Sequence, residues 1–366
     1  MELRPEDRDS MDQERELSNG QNVVFVNTAL ILKAMQGVQK AQADFQDLLD
    51  RAELGDTSLQ YDLGVKYASG DGVEVDMGQA FHWFSLAAES GDLRAVAALG
   101  RCYQSGDGVE RDPERGAELF RQAAEEGFAG AICDLGLCYE NGEGVEADPQ
   151  RAAELYRQAA DQDYAPAMCN LAVCYLNGIG LEEDPAQAAE WLEKAAEQGF
   201  PRAQSILGVC YENGTGVEAD PQRAAELYRQ AADQGYAPAM CNLGVCYLSG
   251  IGLERDPDEA AQWLQRSAAQ EFPRAQSILA DCYGSGSGVE KDLERAAELY
   301  QLASDAGYAP ATCGLGLCYE SGEGVEADPA RAAELYRQAA DQGYAPAMCN
   351  LAVCYLSGIG VETDPV

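Results

Sequence analysis

Hydrophobic positions recur along most of the chain with a strict period of 36 residues. Leucine marks the period, and a tyrosine follows four residues after each of these leucines. The marking residues are Leu63, Leu99, Leu135, Leu171, Leu207, Leu243, Leu279, Leu315 and Leu351. No insertion interrupts the period, so this part of the chain is built from one repeated structural unit.

Each copy of the unit predicts two helices. The first helix spans about 167–176 in one copy, with apolar residues on one face at helical spacing. A Gly-x-Gly sequence then ends it, because glycine accepts the left-handed conformation that closes a helix. In the preceding copy Asp148 caps a second helix and Pro149 occupies its first turn. Tyr156 belongs to the apolar stripe of that second helix.

A single helix pair cannot bury its apolar stripe, whereas stacked pairs bury one continuous core. We therefore predict an all-α fold: a right-handed α-α superhelix (solenoid) of about nine 36-residue helix-turn-helix repeats. The residue after each leucine is small, as at Gly136 and Gly208, which lets the helices approach closely. A larger side chain there would overpack the joint by about 1–3 kcal/mol.

Three segments follow from this pattern. Residues 1–22 are rich in acids and have no apolar run, so they are predicted to form a disordered acidic tail. Residues 23–58 are predicted to form N-terminal capping helices with a partial repeat, and 59–366 the solenoid. The predicted copies start near 59, 95, 131, 167, 203, 239, 275, 311 and 347, and the last lacks its second helix.

The repeat resembles the Sel1-like repeat, a relative of the tetratricopeptide repeat with a longer loop between its helices. The first copy carries the resemblance in Leu63, Gly64, Tyr67, Gly70, Gly72, Val73, Asp76, Ala80, Trp83, Phe84, Ala87, Ala88 and Gly91. The resemblance covers 59–366, and the family consists mostly of adaptors with unlike partners. It therefore implies a non-catalytic scaffold that binds a peptide or a partner segment.

In tetratricopeptide-like arrays the first helices line a concave surface, so the resemblance also implies which positions face a groove. Here those positions form an apolar surface with acidic spots and a recurring asparagine. The predicted groove residues are Asp134, Leu137, Glu140, Cys169, Asn170, Val173, Leu176, Ile206, Val209, Glu212, Cys241, Asn242, Val245, Leu248 and Asn350. An amide side chain donates and accepts, which suits an extended peptide backbone. The alternative is that the asparagines only brace neighbouring helices.

Charge narrows the class of partner. The chain has 63 acidic and 25 basic side chains and a formal net charge of -38. A polyanion cannot release counterions from nucleic acid by neutralising phosphates, and it is repelled by anionic membranes. We therefore expect a basic or apolar protein partner. Because no secretory signal or membrane-spanning stretch is recognisable, we expect a cytoplasmic location.

Thirteen cysteines form two columns, one preceding the repeated tyrosines and one five residues earlier. Residues five apart on a helix have Cα atoms roughly 8–9 Å apart, which is too far for a disulfide. One column alone cannot place several sulfurs around a single zinc ion. The cysteines are therefore interpreted as small buried hydrophobic residues, or as a metal-binding or redox contact between the two columns.

Candidate catalytic residues are scarce. The chain has one histidine, His82, and no Ser-x-x-Lys signature. We predict that the protein is not an enzyme and needs no cofactor or metal. Two alternatives remain: a β-lactam-acting hydrolase of the cysteine-rich Sel1-like type, which the resemblance suggests, and an element that self-associates through the incomplete C-terminal repeat.

Overall fold

The structure, a computed structural model, describes residues 45–361, and throughout that range every regular element is a helix. The predicted acidic tail and the part of the capping segment before residue 45 lie outside the described residues. The helices are α1 (45–53), α2 (Thr57–Ser69), α3 (Met77–Glu89), α4 (Leu93–Ser105), α5 (Pro113–Glu125), α6 (Ala129–Asn141), α7 (Pro149–Ala160), α8 (Ala165–Asn177), α9 (Pro185–Glu197), α10 (Pro201–Asn213), α11 (Pro221–Asp233), α12 (Ala237–Ser249), α13 (Pro257–Ala268), α14 (Pro273–Ser285), α15 (Leu293–Asp305), α16 (Ala309–Ser321), α17 (Pro329–Asp341) and α18 (Ala345–Ser357).

The chain divides into two compact units, and the division falls within α4. The smaller unit contains Met1–Ala95 and Asp107–Val109, and the larger contains Val96–Gly106 and Glu110–Val366. In the larger unit each helix from α6 onward packs against the next, and neighbouring first helices from α10 to α16 also contact one another. The predicted all-α solenoid class is confirmed, with the even-numbered helices as first helices and the odd-numbered ones from α3 as second helices.

The predicted helix ends are confirmed in the larger unit. Gly142 follows α6 with a φ of 70°, in the left-handed region. Asp148 caps α7 by accepting a hydrogen bond of 3.0 Å from the backbone N–H of Arg151. Pro149 then supplies the first residue of that helix. The capping therefore satisfies backbone donors that a helix N-terminus leaves without partners.

In every repeat except the first, the second glycine of the Gly-x-Gly turn has a role that the sequence pattern does not reveal. A Cβ atom added at Gly144 would lie 2.0 Å from the carbonyl oxygen of Pro113, at the start of α5 in the preceding repeat. Gly180 stands in the same relation to Pro149, at 1.9 Å. The turn thus packs directly on the neighbouring backbone, so its glycine is required by contact between repeats as well as by its φ angle.

The small residue after each leucine makes the close approach that was predicted. A Cβ atom added at Gly136 would lie 2.6 Å from the ring of Tyr156, and one at Gly208 equally close to the ring of Tyr228. Both tyrosine rings are completely buried. First and second helices of one repeat therefore pack glycine against an aromatic face.

The smaller unit has a core of its own. Ala52, Leu63 and Trp83 are buried together, and Phe45 and Tyr67, whose rings meet edge to face, pack against them. Helix α1 lies within the segment 23–58 predicted to form capping helices with a partial repeat. The carbonyl of Ala52 on that helix accepts a hydrogen bond from the side chain of Gln60. Apolar contacts thus tie α1 to the first repeat.

Candidate interaction surface

The first helices from α6 to α18 present a column of apolar side chains, which Asp281 interrupts on α14. We call this the first-helix face: Leu137, Val173, Val209, Val245, Leu317 and Val353, together with the acids Glu140, Glu212 and Glu320. Most members of the column are exposed, and Val173 and Val245 are half-buried. Large aliphatic side chains that recur at one position of successive helices form an apolar strip, which is typical of an interaction surface.

All fifteen predicted groove residues lie on first helices, but they differ in accessibility. Leu137, Val209 and Glu212 are exposed. The half-buried residues are Asp134, Glu140, Asn170, Val173, Leu176, Ile206, Asn242, Val245, Leu248 and Asn350. Cys169 and Cys241 are buried.

The placement of Cys169 and Cys241 on the groove surface is wrong. Both side chains have 0% exposure, so a partner on the first-helix face cannot touch them. Cys241 belongs to a core cluster with Leu264 and Leu279, which lie in its own repeat and in the following one. The position two before the marking leucine is therefore covered by the neighbouring repeat.

The asparagines connect neighbouring repeats. Oδ1 of Asn170 accepts a hydrogen bond of 2.5 Å from Nη1 of Arg202, and Asn242 accepts one of 2.7 Å from Arg274. In each pair the arginine lies on the first helix of the next repeat. Nδ2 of Asn170 also donates weakly to Sγ of Cys133, at 3.6 Å. These contacts fit the bracing alternative, and one sequence signal for them is the arginine that follows each of these asparagines by 32 residues.

The acids of the first-helix face accept hydrogen bonds from buried tyrosines. The phenol of Tyr228 donates to Oε2 of Glu212 at 2.6 Å, and that of Tyr336 donates to Glu320 at the same distance. Tyr156 donates to Glu140 in the same way. Burial, and then the bonded carboxylate, raises the pKa of Tyr228 well above its usual range, so the phenol stays protonated and keeps donating.

The hydroxyl at Tyr156, Tyr228 and Tyr336 occurs together with a glutamate on the first helix, while in the seventh repeat Asp281 is the acceptor for Tyr300. In the repeats whose second helix carries leucine in place of tyrosine, leucine also replaces the acid on the first helix. Leu192 corresponds to Leu176 in one such repeat, and Leu264 to Leu248 in the other. Phe120, which has no hydroxyl, corresponds to Gln104. A buried hydroxyl without an acceptor is costly, which accounts for the pairing.

One acid is held by a neighbouring repeat instead. Oδ2 of Asp134 receives hydrogen bonds from Nε of Arg101 at 2.9 Å and forms an ion pair with Nη2 at 2.8 Å. Burial raises the pKa of Asp134, while Arg101 opposes that effect. Asp134 is therefore paired and half-buried, whereas the carboxylates of Glu212 and Glu320 are exposed on the first-helix face.

The cysteines behave as buried thiols. All thirteen are free, and eleven are buried, the exceptions being the half-buried Cys318 and the exposed Cys349. Burial raises the pKa of both Cys133 and Cys138 to about 12, so these thiols stay protonated near neutral pH. Across the described range, no cluster of His, Cys, Asp or Glu is arranged to hold a metal ion.

The helices are also short and amphipathic, and none of those described has the length and apolar character needed to cross a bilayer.

Stacked helix pairs with an apolar, acid-flanked first-helix face define a protein of the helical-repeat class, whose members generally serve as protein-interaction scaffolds.

Comparison with protein families assigns the repeats. The family model described as "Sel1 repeat" matches residues 57–92, 93–128, 129–164, 165–200, 201–236, 237–272, 273–308, 309–344 and 345–366. The chain belongs to the Sel1 repeat family.

Solved structures agree with this assignment. A Sel1 repeat protein from Oxalobacter formigenes is 30% identical, with a TM-score of 0.58, over 86% of this chain and 92% of that one. A protective antigen with this repeat fold from uropathogenic Escherichia coli is 31% identical, with a TM-score of 0.51, over 87% of this chain and 76% of that one. A search of the curated proteins found no match to the sequence.

Proposed function

We propose that the protein is a non-catalytic scaffold that binds an extended peptide or partner segment along the first-helix face. The observation that carries the proposal is the apolar column on the first helices from α6 to α18, α14 excepted, in which Val209 and Leu317 are exposed to solvent. Exposed aliphatic strips of this kind are costly in water unless a partner covers them. The column therefore offers a bound segment hydrophobic contacts, and the repetition of the first helices arranges several such contacts along one line.

Charge supports a partner segment that is basic as well as apolar. The carboxylates of Glu212 and Glu320 are exposed on this face, and each is oriented by a buried tyrosine. The net charge of -38 adds long-range attraction for a cationic partner and speeds encounter. The same charge disfavours nucleic acid and anionic membranes as ligands.

A matched pair of variants tests the proposal. V209D combined with L317D places charge in the apolar column, and L302D makes the same change on second helix α15. Leu302 and Leu317 are both 50% exposed, so the control matches in accessibility. We expect proteins recovered with the wild type by affinity purification to be lost with the double variant and kept with L302D. Equal recovery with all three proteins would contradict the proposal, provided that circular dichroism shows unchanged helicity.

A second proposal concerns self-association through the last repeat. Met348 on α18 is exposed, whereas its equivalents Met168 and Met240 are buried, and Met240 packs against Trp263 on the second helix of its own repeat. Leu356 and Val353 extend the exposed apolar surface of that helix. We expect light scattering to show dimers or larger species that M348E converts to monomers. A monomer at high protein concentration in the wild type would contradict this second proposal.

The absence of catalysis is part of the first proposal. A pure sample should not hydrolyse a chromogenic β-lactam above the buffer rate. Turnover that rises in proportion to protein concentration would favour the hydrolase alternative.

A further inference from the structure

The seventh repeat departs from the others at its tyrosine. In repeats that carry Gly136 or Gly208, the tyrosine ring of the second helix packs on that glycine. The seventh repeat has Ala280 at this position, and the Tyr300 hydroxyl donates to Asp281 instead of to a side chain at position 284. A Cβ atom added at Gly314, on the first helix of the eighth repeat, would come within 2.7 Å of that ring. Tyr300 therefore leans into the junction between the two repeats.

A cavity opens at the same junction. Gly284 stands where other repeats carry Glu212 or Leu248, and a Cβ atom added there would meet no atom within 4 Å. The missing side chain leaves a cavity of about 270 Å³. Its walls include Asp281, Gly284, Tyr300, Gly314, Leu317 and Ser321.

The cavity is lined by acidic residues and by apolar residues. The Tyr300 hydroxyl donates to Oδ1 of Asp281, while Oδ2 makes no hydrogen bond or ion pair with the described residues. Glu323 also lines the cavity, and no lysine or arginine is among the residues around it. Leu317 is half-exposed at the rim and belongs to the apolar column. Asp281 is exposed to solvent, and the surrounding protein nevertheless raises the pKa of its carboxyl.

We propose that this cavity receives a lysine or arginine side chain of the bound partner segment. The aliphatic part of that side chain would pack on Leu317, and its cationic end would pair with Oδ2 of Asp281. The ring of Tyr300 adds a surface that attracts cations. The proposal rests on the proposed function, because it assigns one anchor point on the first-helix face.

The geometry favours this occupant over an apolar anchor. Because Asp281 is exposed in the unbound protein, an aliphatic side chain in the cavity would remove its carboxylate from water without supplying a cationic partner, which is unfavourable. A cationic side chain supplies that partner, and its aliphatic stem still covers the apolar wall. The remaining exposed positions of the column would then hold the apolar residues of the same segment.

Random peptides displayed on phage and selected on the full chain supply a probe. Dissociation constants of the selected peptides are measured for the wild type, D281N, G284L and D233N. Leucine occupies the place of Gly284 in three other repeats, at Leu176, Leu248 and Leu356, so G284L fills the cavity with a side chain that this position of the repeat already carries elsewhere. Asp233 is an exposed acid at the end of second helix α11, so D233N controls for the change in net charge.

We expect D281N and G284L each to weaken binding about tenfold and D233N to leave it within about twofold of the wild type. Replacing the peptide's cationic residue with methionine should weaken binding to the wild type equally, and should add little to the effect of D281N. Dissociation constants that are unaffected by both D281N and G284L would overturn the proposal.

The same peptides distinguish failure of the cationic pocket from failure of the proposed binding along the first-helix face. Peptides that lose affinity for V209D but not for D281N or G284L would support the first-helix face and contradict the cationic pocket. Peptides that ignore V209D, or a selection that yields no binding peptide, would contradict the proposed function and with it the pocket.

Discussion

The phenol oxygen of Tyr228 lies 2.6 Å from Oε2 of Glu212, which joins the buried core of a second helix to the exposed face of the first helix. The ring of Tyr228 is fully buried, so its hydroxyl has to find an acceptor within the protein. Glu212 supplies that acceptor and is held in place in return. One hydrogen bond thus serves the stability of the repeat and the electrostatics of its surface.

This relationship predicts an asymmetry between two substitutions. E212L leaves the Tyr228 hydroxyl without an acceptor and should destabilise the fold by about 1–3 kcal/mol. Y228F removes the hydroxyl itself and should cost less, about 1 kcal/mol. The double variant should be more stable than the sum of the single effects predicts, because the unsatisfied group is gone. Urea unfolding followed by circular dichroism measures all three, and strictly additive effects would contradict the coupling.

The packing of Gly208 on the Tyr228 ring predicts a second coupling. G208A brings a methyl group to 2.6 Å from the ring and should destabilise the protein by about 1–3 kcal/mol. Leucine in place of the ring should relieve the clash, since the fourth repeat combines Ala172 with Leu192. Adding Y228L to G208A should therefore lower the free energy of unfolding by less than Y228L lowers it in the wild-type protein. An undiminished cost would show that the methyl group is accommodated elsewhere.

Two residues occupy a backbone conformation that suits glycine. Asp163 and Glu271 both have a φ of 60°, at a position where other repeats have glycine, such as Gly199 and Gly235. A left-handed conformation costs a non-glycine residue about 1–2 kcal/mol. E271G should therefore raise the urea midpoint, and G235A, at the equivalent place, should lower it. A lower urea midpoint for E271G would contradict the inference that the backbone at Glu271 is strained.

Buried thiols predict a loss of stability in alkali. The unfolded chain ionises cysteine near pH 9.0, whereas burial raises the pKa of Cys133 to about 12 in the folded state. The stabilising contribution is complete below the unfolded pKa and is lost as pH rises through this window, by up to about 1.36 kcal/mol per pH unit for each such thiol. C133A should reduce the decline in urea midpoint between about pH 8 and pH 10. C349A, which removes an exposed thiol, should leave that decline unchanged, and equal slopes in all three proteins would contradict the assignment.

Local signals in the sequence were sufficient for the repeat and its helix ends. Asp148 and Pro149 identify a helix start from neighbouring residues alone, and so does the glycine at 142 for a helix end. The surface was harder to predict, because its accessibility depends on the adjacent repeat. Periodicity along one helix could not show that Cys241 is covered by residues of the following repeat.

Contacts across repeats explain the remaining differences. The bond between Asn170 and Arg202 joins residues 32 positions apart, and its formation depends on how two first helices pack. The packing of the Tyr300 ring on Gly314 joins a second helix to the first helix of the next repeat. Such features follow from three-dimensional neighbours, so they become evident only when the helices are placed side by side.

Site-specific crosslinking tests the central claim most directly. A photoreactive benzophenone amino acid is placed at Val209, at Leu317 or at the control position Leu302, and the chain is irradiated in living cells. The proposed scaffold predicts one shared partner crosslinked from positions 209 and 317 and absent from 302. A partner captured equally from position 302, or no adduct from either column position, would contradict binding along the first-helix face.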